Sequence, residues 1–414
     1  MVASAAANVT YTGGTGADSF SMGTTLTADD TLNGGDGVDS VAVTGAGGAL
    51  IPSSAAITNV ETITATINGA DTLDANIIDV DNITILATAA TDDITVTDLT
   101  DEVITLTQLA AGVSMDNVNL SLASNTGTAD SLTVNVENAH TTTVFNVDDI
   151  DSTGGGIESL TLNLTQGVDL ASADDIQIDD ISIGATTLTI TGNADADIGS
   201  GVALGTATTI SAGTYTGDLT LVLGAADQTV TTGSGDDTFT VGSNLTSSDT
   251  ITAGTGSDSL TATLTAVTAA PTLSGVETLT LDFENAGNVF SGANTTGATQ
   301  IDLQGDVANT ITNLPASVTN IQLNEGTDNE TVTITYATGS SDGFTMNLQS
   351  DGTGTSNSYN TITVTGNTGN MTVTNDDAYT LDGGFVNATT TGTVTFQTGA
   401  NIIDGGSIGL DMVN

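Results

Sequence analysis

The sequence alternates apolar and polar residues with a period of two along most of its length. Clear examples are the runs ITATI at 63–67, LTLNL at 160–164 and VTITY at 332–336, and clusters of Gly, Asn and Asp separate such runs. This alternation is typical of β-strands that bury one face, and Gly, Asn and Asp are turn residues. No segment shows a helical period between recognisable caps. The sequence therefore predicts an all-β protein.

The supply of large side chains limits the kind of core that these strands can form. The 414 residues include 8 Phe, 5 Tyr and no Trp, although hydrophobic residues make up 38% of the chain. A turn followed by a strand also recurs at irregular intervals, as at 59–63, 81–85, 156–160 and 319–323. Small aliphatic residues spread over many such elements predict an elongated β-solenoid, of the parallel β-helix or β-roll type. The alternative is a string of β-sandwiches, which also contain short alternating strands.

An internal repeat divides the chain. Residues 14–41 align without a gap to residues 233–260, with 13 identities in 28 positions. The likeness resumes where VET at 60–62 matches VET at 276–278. We therefore expect two related units, a first one at 1–231 and a second, shorter one at 232–414.

Four short segments carry the chemistry that the sequence suggests. Residues 13–21 and 34–42 match the pattern G-G-x-G-x-D-x-U-x, where U is apolar, and residues 232–240 and 253–261 lack only its first Gly. Glycine allows a tight turn with positive φ that aims carbonyl oxygens inward, and aspartate adds carboxylate oxygens. A cage of oxygen atoms suits a hard cation such as Ca²⁺.

These segments resemble the RTX nonapeptide repeat of type-I-secreted bacterial proteins. The resemblance implies that stacked turns hold calcium between them. Asp18 and Asp39 would then share one ion, and Asp237 and Asp258 another. The further candidate ligands are the carbonyl groups of Gly13, Gly34 and Gly254 and the acidic residues Asp36 and Asp236.

The run from 13 to 67 resembles bacterial surface-layer (S-layer) proteins of the RTX type, and the second unit repeats this likeness up to residue 283. The resemblance implies export by a type I system without an N-terminal signal peptide, folding in extracellular Ca²⁺, and a lattice on lipopolysaccharide or another surface glycan. We therefore expect a secreted structural protein that self-assembles on the cell surface. The alternatives are an adhesin or biofilm-matrix filament and, from Thr-x-Thr segments between 333 and 395, an ice-binding rod.

The charge of the chain excludes several partners. There is no Lys or Arg, against 50 acidic residues, so the formal charge is −50. Such a chain is not expected to bind nucleic acid or anionic lipid, because both require cationic side chains. No apolar segment is long enough to insert into a membrane. The single histidine, His140, and the paired aspartates such as those at 148–149 and 179–180 do not suggest an active site, so we expect no enzymatic activity.

The same charge bears on assembly. Strand-like segments lie near both ends, at 9–11 and 394–396, and open strand edges favour head-to-tail contacts between copies. Because copies of charge −50 repel each other and lack cationic partners, divalent ions are expected to mediate their contacts.

Overall fold

The structure is a computed structural model that describes residues 8–124, 126–127, 129–140, 143–152, 156–166, 175–304, 307–324, 330–349, 358–375, 380–381, 385–387 and 394–398. The chain forms an all-β, parallel β-solenoid of about 14 turns with 2% helix, which confirms the predicted fold class. Every strand pair in the described part is parallel, so the sandwich alternative, which requires antiparallel sheets, is wrong.

The strands, in chain order, are β1 Thr10–Thr12, β2 Ser19–Gly23, β3 Thr31–Asn33, β4 Ser40–Thr44, β5 Gly48–Ala49, β6 Ala56–Thr58, β7 Thr62–Thr66, β8 Ala70–Asp74, β9 Asn82–Ala87, β10 Asp92–Leu99, β11 Val103–Gln108, β12 Met115–Leu122, β13 Ser131–Asn138, β14 Phe145–Asp151, β15 Ser159–Gln166, β16 Ile176–Ser182, β17 Thr187–Gly192, β18 Ala196–Ile198, β19 Thr209–Ser211, β20 Leu219–Val222, β21 Thr229–Thr231, β22 Thr238–Gly242, β23 Thr250–Thr252, β24 Ser259–Leu264, β25 Thr268–Ala269, β26 Thr272–Ser274, β27 Thr278–Phe283, β28 Val289–Ser291, β29 Thr295–Thr296, β30 Gln300–Gln304, β31 Asn309–Leu314, β32 Asn320–Asn324, β33 Glu330–Ser340, β34 Phe344–Gln349, β35 Ser358–Asn367, β36 Met371–Asn375, β37 Thr380–Leu381, β38 Phe385–Asn387 and β39 Val394–Thr398. Two single 3₁₀ turns, Ala75–Ile77 and Gly292–Asn294, are the only helical elements in the described ranges. No helix there is long and apolar enough to cross a membrane.

The first compact unit, Met1–Val222, contains three stacks of parallel strands. Sheet I is β1-β3-β6, sheet II is β2-β4-β7-β9-β11-β13-β15-β17-β19, and sheet III is β5-β8-β10-β12-β14-β16-β18-β20. The early turns of the solenoid therefore use three strands each, and the later turns use two. Turn length varies, from 20 residues between Thr62 and Asn82 to 32 between Asn117 and Asp149. Loops of variable length account for the irregular intervals in the sequence.

The second compact unit, Leu223–Asn414, repeats this plan. Its early turns contribute to β21-β23-β26-β29, its longest stack is β22-β24-β27-β30-β32-β34-β36-β39, and a third stack is β25-β28-β31-β33-β35-β37, with β38 also paired to β35. A 3₁₀ turn follows β8 in the first unit and β28 in the second. The division at 222/223 differs from the 231/232 boundary placed from the repeat.

The core consists of columns of small aliphatic side chains. One column in sheet II is continuous from turn to turn and completely buried: Val41, Ile63, Ile83, Ile104, Val134, Leu162 and Ile190. Burying each such side chain stabilises the fold by about 1.5–3 kcal/mol before the entropy of ordering is subtracted. A core that is thin and repeated explains how the chain folds with so few aromatic residues.

Candidate functional site

The four Gly-Asp segments form turns that each lead into a strand, and they stack in pairs. Ser19 pairs with Ser40 in the register of β2 and β4, and Thr238 pairs with Ser259 in that of β22 and β24. Residues one position earlier are therefore also neighbours. The structure brings Asp18 next to Asp39, and Asp237 next to Asp258.

A ladder of carboxylates and backbone amides links the turns in the first unit. The backbone N–H of Asp18 donates to Asp39 Oδ1 over 2.7 Å, and the N–H of Asp39 donates to Glu61 Oε2 over 2.6 Å. Each carboxylate thus binds the amide of the preceding turn. Since such hydrogen bonds are charge-assisted, they are short and strong.

The second unit contains the same ladder. The N–H of Asp237 donates to Asp258 Oδ1 over 2.7 Å, and that of Asp258 donates to Glu277 Oε2 over 2.8 Å. Sequence reasoning matched the VET segments of the two units but did not assign a role to Glu61 or Glu277. The available signal was an acidic residue directly before a strand, which also occurs at Glu158, where Oε2 accepts from the N–H of Asp130 over 2.8 Å.

One carboxylate oxygen in this site is buried and accepts no hydrogen bond. Asp39 is 1% exposed, and its Oδ2 atom has no hydrogen-bond partner among the described residues. In the turn before it, Asp18 Oδ2 accepts from the N–H of Gly14 over 2.7 Å. Burial of an unsatisfied carboxylate oxygen is costly, and a hard cation is a partner that would remove this cost.

Ligands beyond Asp39 would come mostly from the backbone. Within the described ranges, no group of three or more His, Asp or Glu side chains converges as a metal centre. Gly34 packs so tightly that a Cβ atom there would overlap the carbonyl oxygen of Asn59 and Asp39 Oδ2. A carbonyl oxygen and the buried carboxylate oxygen therefore lie on one side of Gly34, which fits a calcium ion bound by mixed ligands better than one in a cage of carboxylates.

The glycines have two different roles in these turns. Gly37 and Gly256 have φ values of 145° and 152°, in the region that favours glycine, as the sequence predicted. Gly13 and Gly34 lack a positive φ, so the predicted reason is wrong for them. They are required for space, because a Cβ atom on Gly13 would overlap the carbonyl oxygen of Gly34.

The remaining candidate ligands lie at the rim. Asp36 and Asp236 are exposed, and Asp236 Oδ1 accepts from the N–H of Ser257 in the next turn over 2.8 Å. Gly254 is exposed too, with φ of 87°. The carboxylate of Asp236 thus also joins neighbouring turns, but it binds the amide of the following turn, whereas the buried aspartates in the two ladders bind that of the preceding one.

Buried aspartates outside the motifs also satisfy turn amides. Asp30 accepts from the N–H groups of Val9 and Thr27 at 2.9 and 2.6 Å, and Asp249 accepts from those of Gln228 and Thr246 at 2.8 and 2.7 Å. Burial opposes ionisation of Asp30, but its backbone hydrogen bonds outweigh burial and lower its pKa. The identity of these two aspartates in the repeat was the sequence signal for this role.

Asp92 has the most complete set of amide donors. Its Oδ1 accepts from the N–H of Gly69 over 2.8 Å, and its Oδ2 accepts from those of Thr88 and Ala89 at 2.7 and 2.8 Å. Burial again opposes ionisation, and the three amides and the Thr88 hydroxyl overcome it, so the pKa of Asp92 is lowered. In a chain without Lys or Arg, backbone N–H groups thus take the place of cationic side chains.

A second group of carboxylates lies on the outer surface of sheet III. Asp149 and Asp180 are register partners on β14 and β16, and Asp148 lies beside them. Desolvation raises the pKa of Asp148, with further contributions from Asp179 and Asp116. Desolvation also raises the pKa of Asp149, followed by repulsion from neighbouring aspartates.

No protein-family model matches the chain, and no curated protein is significantly similar to it. The geometry of the turns and the fold are therefore what point to a function.

Proposed function

We propose that this protein is a secreted structural protein that assembles, in the presence of Ca²⁺, into a surface layer on the cell. The observation that supports this most directly is Asp39 Oδ2, a buried carboxylate oxygen without a hydrogen bond, in a turn stacked on a second Gly-Asp turn. In this proposal Asp18 and Asp39 hold one ion, and Asp237 and Asp258 hold another. Carbonyl groups of Gly13, Gly34 and Gly254 are the further ligands proposed.

Calcium would supply positive charge at the start of each unit. The motif turns belong to the early turns of their units, and the ladders of Asp and Glu extend from them into the next turn. A bound ion neutralises part of the charge of the stacked carboxylates and ties two successive turns together. Binding to the folded state alone stabilises that state by mass action, by about 2.7 kcal/mol when free ion is 100 times its dissociation constant.

Open strand edges support assembly. Among the described residues, β1, β2 and β5 each pair with a neighbour on one side only. An unpaired parallel edge presents N–H and C=O groups to another chain, and head-to-tail contacts of this kind extend without closing. The chain has a charge of −50 and no cationic side chain, so we propose that Ca²⁺ also reduces repulsion between copies and joins them to lipopolysaccharide or another acidic surface glycan.

The first test is calcium-dependent folding. Thermal melts followed by circular dichroism should show a lower melting temperature in EDTA than in millimolar Ca²⁺, and re-addition of the ion should restore it. The double variant Asp39→Asn/Asp258→Asn should lose most of this difference, whereas Asp36→Asn, at the exposed rim, should retain it. A melt that is the same with and without the chelator would contradict the calcium proposal.

The second test is assembly. Electron microscopy of the purified protein should show ordered sheets in Ca²⁺ that disassemble on chelation. Unbranched fibres without sheets would instead favour the alternative of a matrix filament or adhesin, which the open edges also support. A monodisperse monomer by light scattering at high protein and calcium concentrations would contradict both functions.

A further inference from the structure

The two long sheets of the first unit differ sharply in charge. The strands of sheet II contain a single acidic residue, Glu137. Those of sheet III contain twelve, namely Asp71, Asp74, Asp92, Asp93, Asp98, Asp116, Asp148, Asp149, Asp151, Asp179, Asp180 and Asp197. In a chain with 50 acidic residues and no basic ones, an extended strand surface with one charge is unusual.

Sheet II has three outward columns, and two of them contain no acidic residue; we term the surface of these two columns the neutral face. The first is Ser19, Ser40, Thr62, Asn82, Val103, Thr133, Thr161, Thr189 and Ser211, and the second is Ser21, Ala42, Thr64, Thr84, Thr105, Asn135, Asn163 and Thr191. All of these residues are exposed or half-exposed. Hydroxyl and amide groups dominate both columns. The third column, which runs from Thr44 to Thr165, includes the exposed Glu137.

Acidic turns border the neutral face at the end where its strands begin. Asp18, Asp39 and Glu61 directly precede β2, β4 and β7. Hydrogen bonds from backbone amides in the turns hold the carboxylates of all three. The same position before β13 and β15 is taken by Asp130 and Glu158.

We propose that the neutral face is the surface through which two copies of this chain pack side by side. The proposal deepens, and rests on, the proposed function as a self-assembling protein. A carboxylate only accepts hydrogen bonds, so an acidic face cannot pair with itself. A hydroxyl or side-chain amide both donates and accepts, so a face of Ser, Thr and Asn is complementary to a copy of itself, as a two-fold contact requires.

Charge argues for a second copy as the occupant of this face. A basic partner would be attracted to the acidic strands of sheet III, not to the neutral face. Another copy has the same charge of −50 and no Lys or Arg, so it is repelled least where neither strand surface carries carboxylates. The neutral face is the extended strand surface of the first unit that meets this condition.

The neutral face is also large enough. With strands about 4.8 Å apart and about 13 Å of each strand presented by the two columns, the neutral face covers roughly 500 Å². Two such faces bury roughly 1,000 Å², which is the size of a small, weak interface. Edge contacts alone build filaments, and a two-fold lateral contact of this kind joins filaments in pairs, which is one of the contacts that a sheet requires.

Cysteine cross-linking tests the contact, because the natural chain has no cysteine. Thr105 lies on β11, the middle strand of sheet II, and Thr95 is a matched residue on β10 of sheet III. Under assembly conditions, a short bismaleimide should convert T105C into covalent dimers at least tenfold more efficiently than T95C. Equal yields from the two variants, or no dimer from T105C, would overturn the proposal.

Charge substitution gives an independent result. Thr105→Asp together with Thr161→Asp should abolish side-by-side association in Ca²⁺ and leave the circular dichroism spectrum unchanged, whereas Thr95→Asp should associate normally. If the double variant forms sheets as well as the natural protein does, the neutral face is not a contact in the assembly, and the surface-layer function still stands. Dimers of T105C in a protein that never forms sheets or fibres would support the neutral face as a contact and contradict the surface-layer function.

Discussion

Asp92 and Asp149 show how one residue type has opposite effects in two regions of the same sheet. Asp92, the first residue of β10, accepts hydrogen bonds from three backbone amides of neighbouring turns, and its pKa is lowered. Asp149, on the surface of β14, is partly desolvated beside other aspartates, and its pKa is raised. The turn therefore stabilises the carboxylate form, and the strand surface destabilises it.

The difference teaches that the donors around a carboxylate decide its contribution to stability. In most proteins Lys and Arg partly balance acidic residues, but this chain has neither. Backbone N–H groups in the turns stabilise the charge of the buried aspartates. In the middle of a strand the N–H groups already bond to the neighbouring strands, so they cannot stabilise a carboxylate there. Four predictions test this comparison, in order of decreasing effect.

Asp92→Ala should have the largest effect. It removes the three hydrogen bonds that the buried carboxylate accepts from the backbone N–H groups of Gly69, Thr88 and Ala89. Because hydrogen bonds to a charged group are worth more than neutral ones, the loss should cost about 3–4 kcal/mol. Asp93→Ala, one residue later on the half-exposed strand surface, is the control and should change stability by less than about 0.5 kcal/mol. The urea midpoint measures both. Similar losses at the two positions would show that the turn amides are not decisive.

Gly34→Ala should destabilise the protein by about 1–3 kcal/mol, because the added methyl group overlaps the Asn59 carbonyl oxygen and the Asp39 side chain. Gly16→Ala is the control, since a Cβ atom at Gly16 has no neighbour within 4 Å and its φ is not positive. Thermal melts in EDTA isolate this steric effect from ion binding. If the control loses as much stability as Gly34→Ala, the space argument fails.

The pH dependence of stability should have two phases. Asp148 and Asp149, with raised pKa values, oppose folding at neutral pH, and this penalty disappears as the pH falls through their folded pKa values towards the ordinary value of 3.8. Asp30 and Asp92, with lowered pKa values, stabilise the fold above 3.8, and this contribution is lost as the pH falls through their folded values. The urea midpoint should therefore rise from pH 7 to about 4 and fall below that.

Two variants separate these phases. Asp148→Asn/Asp149→Asn should flatten the rise between pH 7 and about 4, and Asp92→Ala should weaken the fall below it. A midpoint that declines steadily from neutral pH in the natural protein would mean that strand carboxylates do not oppose folding.

Asp148→Asn should have the smallest effect, a gain of a few tenths of a kcal/mol at pH 7, because the group is partly exposed and water screens its repulsion. The new amide oxygen can still accept from Asn146 Nδ2, which donates to Asp148 Oδ1 over 2.6 Å. The gain should shrink in 1 M NaCl, which shortens the screening length to about 3 Å. A loss of stability, or a gain independent of salt, would contradict the electrostatic cause.

The sequence was sufficient for much of the fold. The two-residue period in runs such as 63–67 determined strands with one buried face, and the shortage of aromatic residues determined a thin core. The resemblance to RTX repeats implied that Asp18 would lie near Asp39, and the two residues are neighbours in the register of β2 and β4. These features are local or periodic, so they can be recognised without knowledge of distant contacts.

The tertiary structure decided which residues became neighbours across turns. Glu61 accepts a hydrogen bond from the backbone N–H of Asp39, and Glu277 accepts one from that of Asp258. These contacts form only because one complete solenoid turn separates the two residues of each pair. The separation of the charged strands from the neutral ones has the same origin. Thr95 and Thr105 occupy similar alternating runs ten residues apart, and the path of the chain places one on the acidic sheet and the other on the neutral face. Strand period fixes which side of a strand faces the core, whereas the number of strands in each turn fixes which strands share a surface.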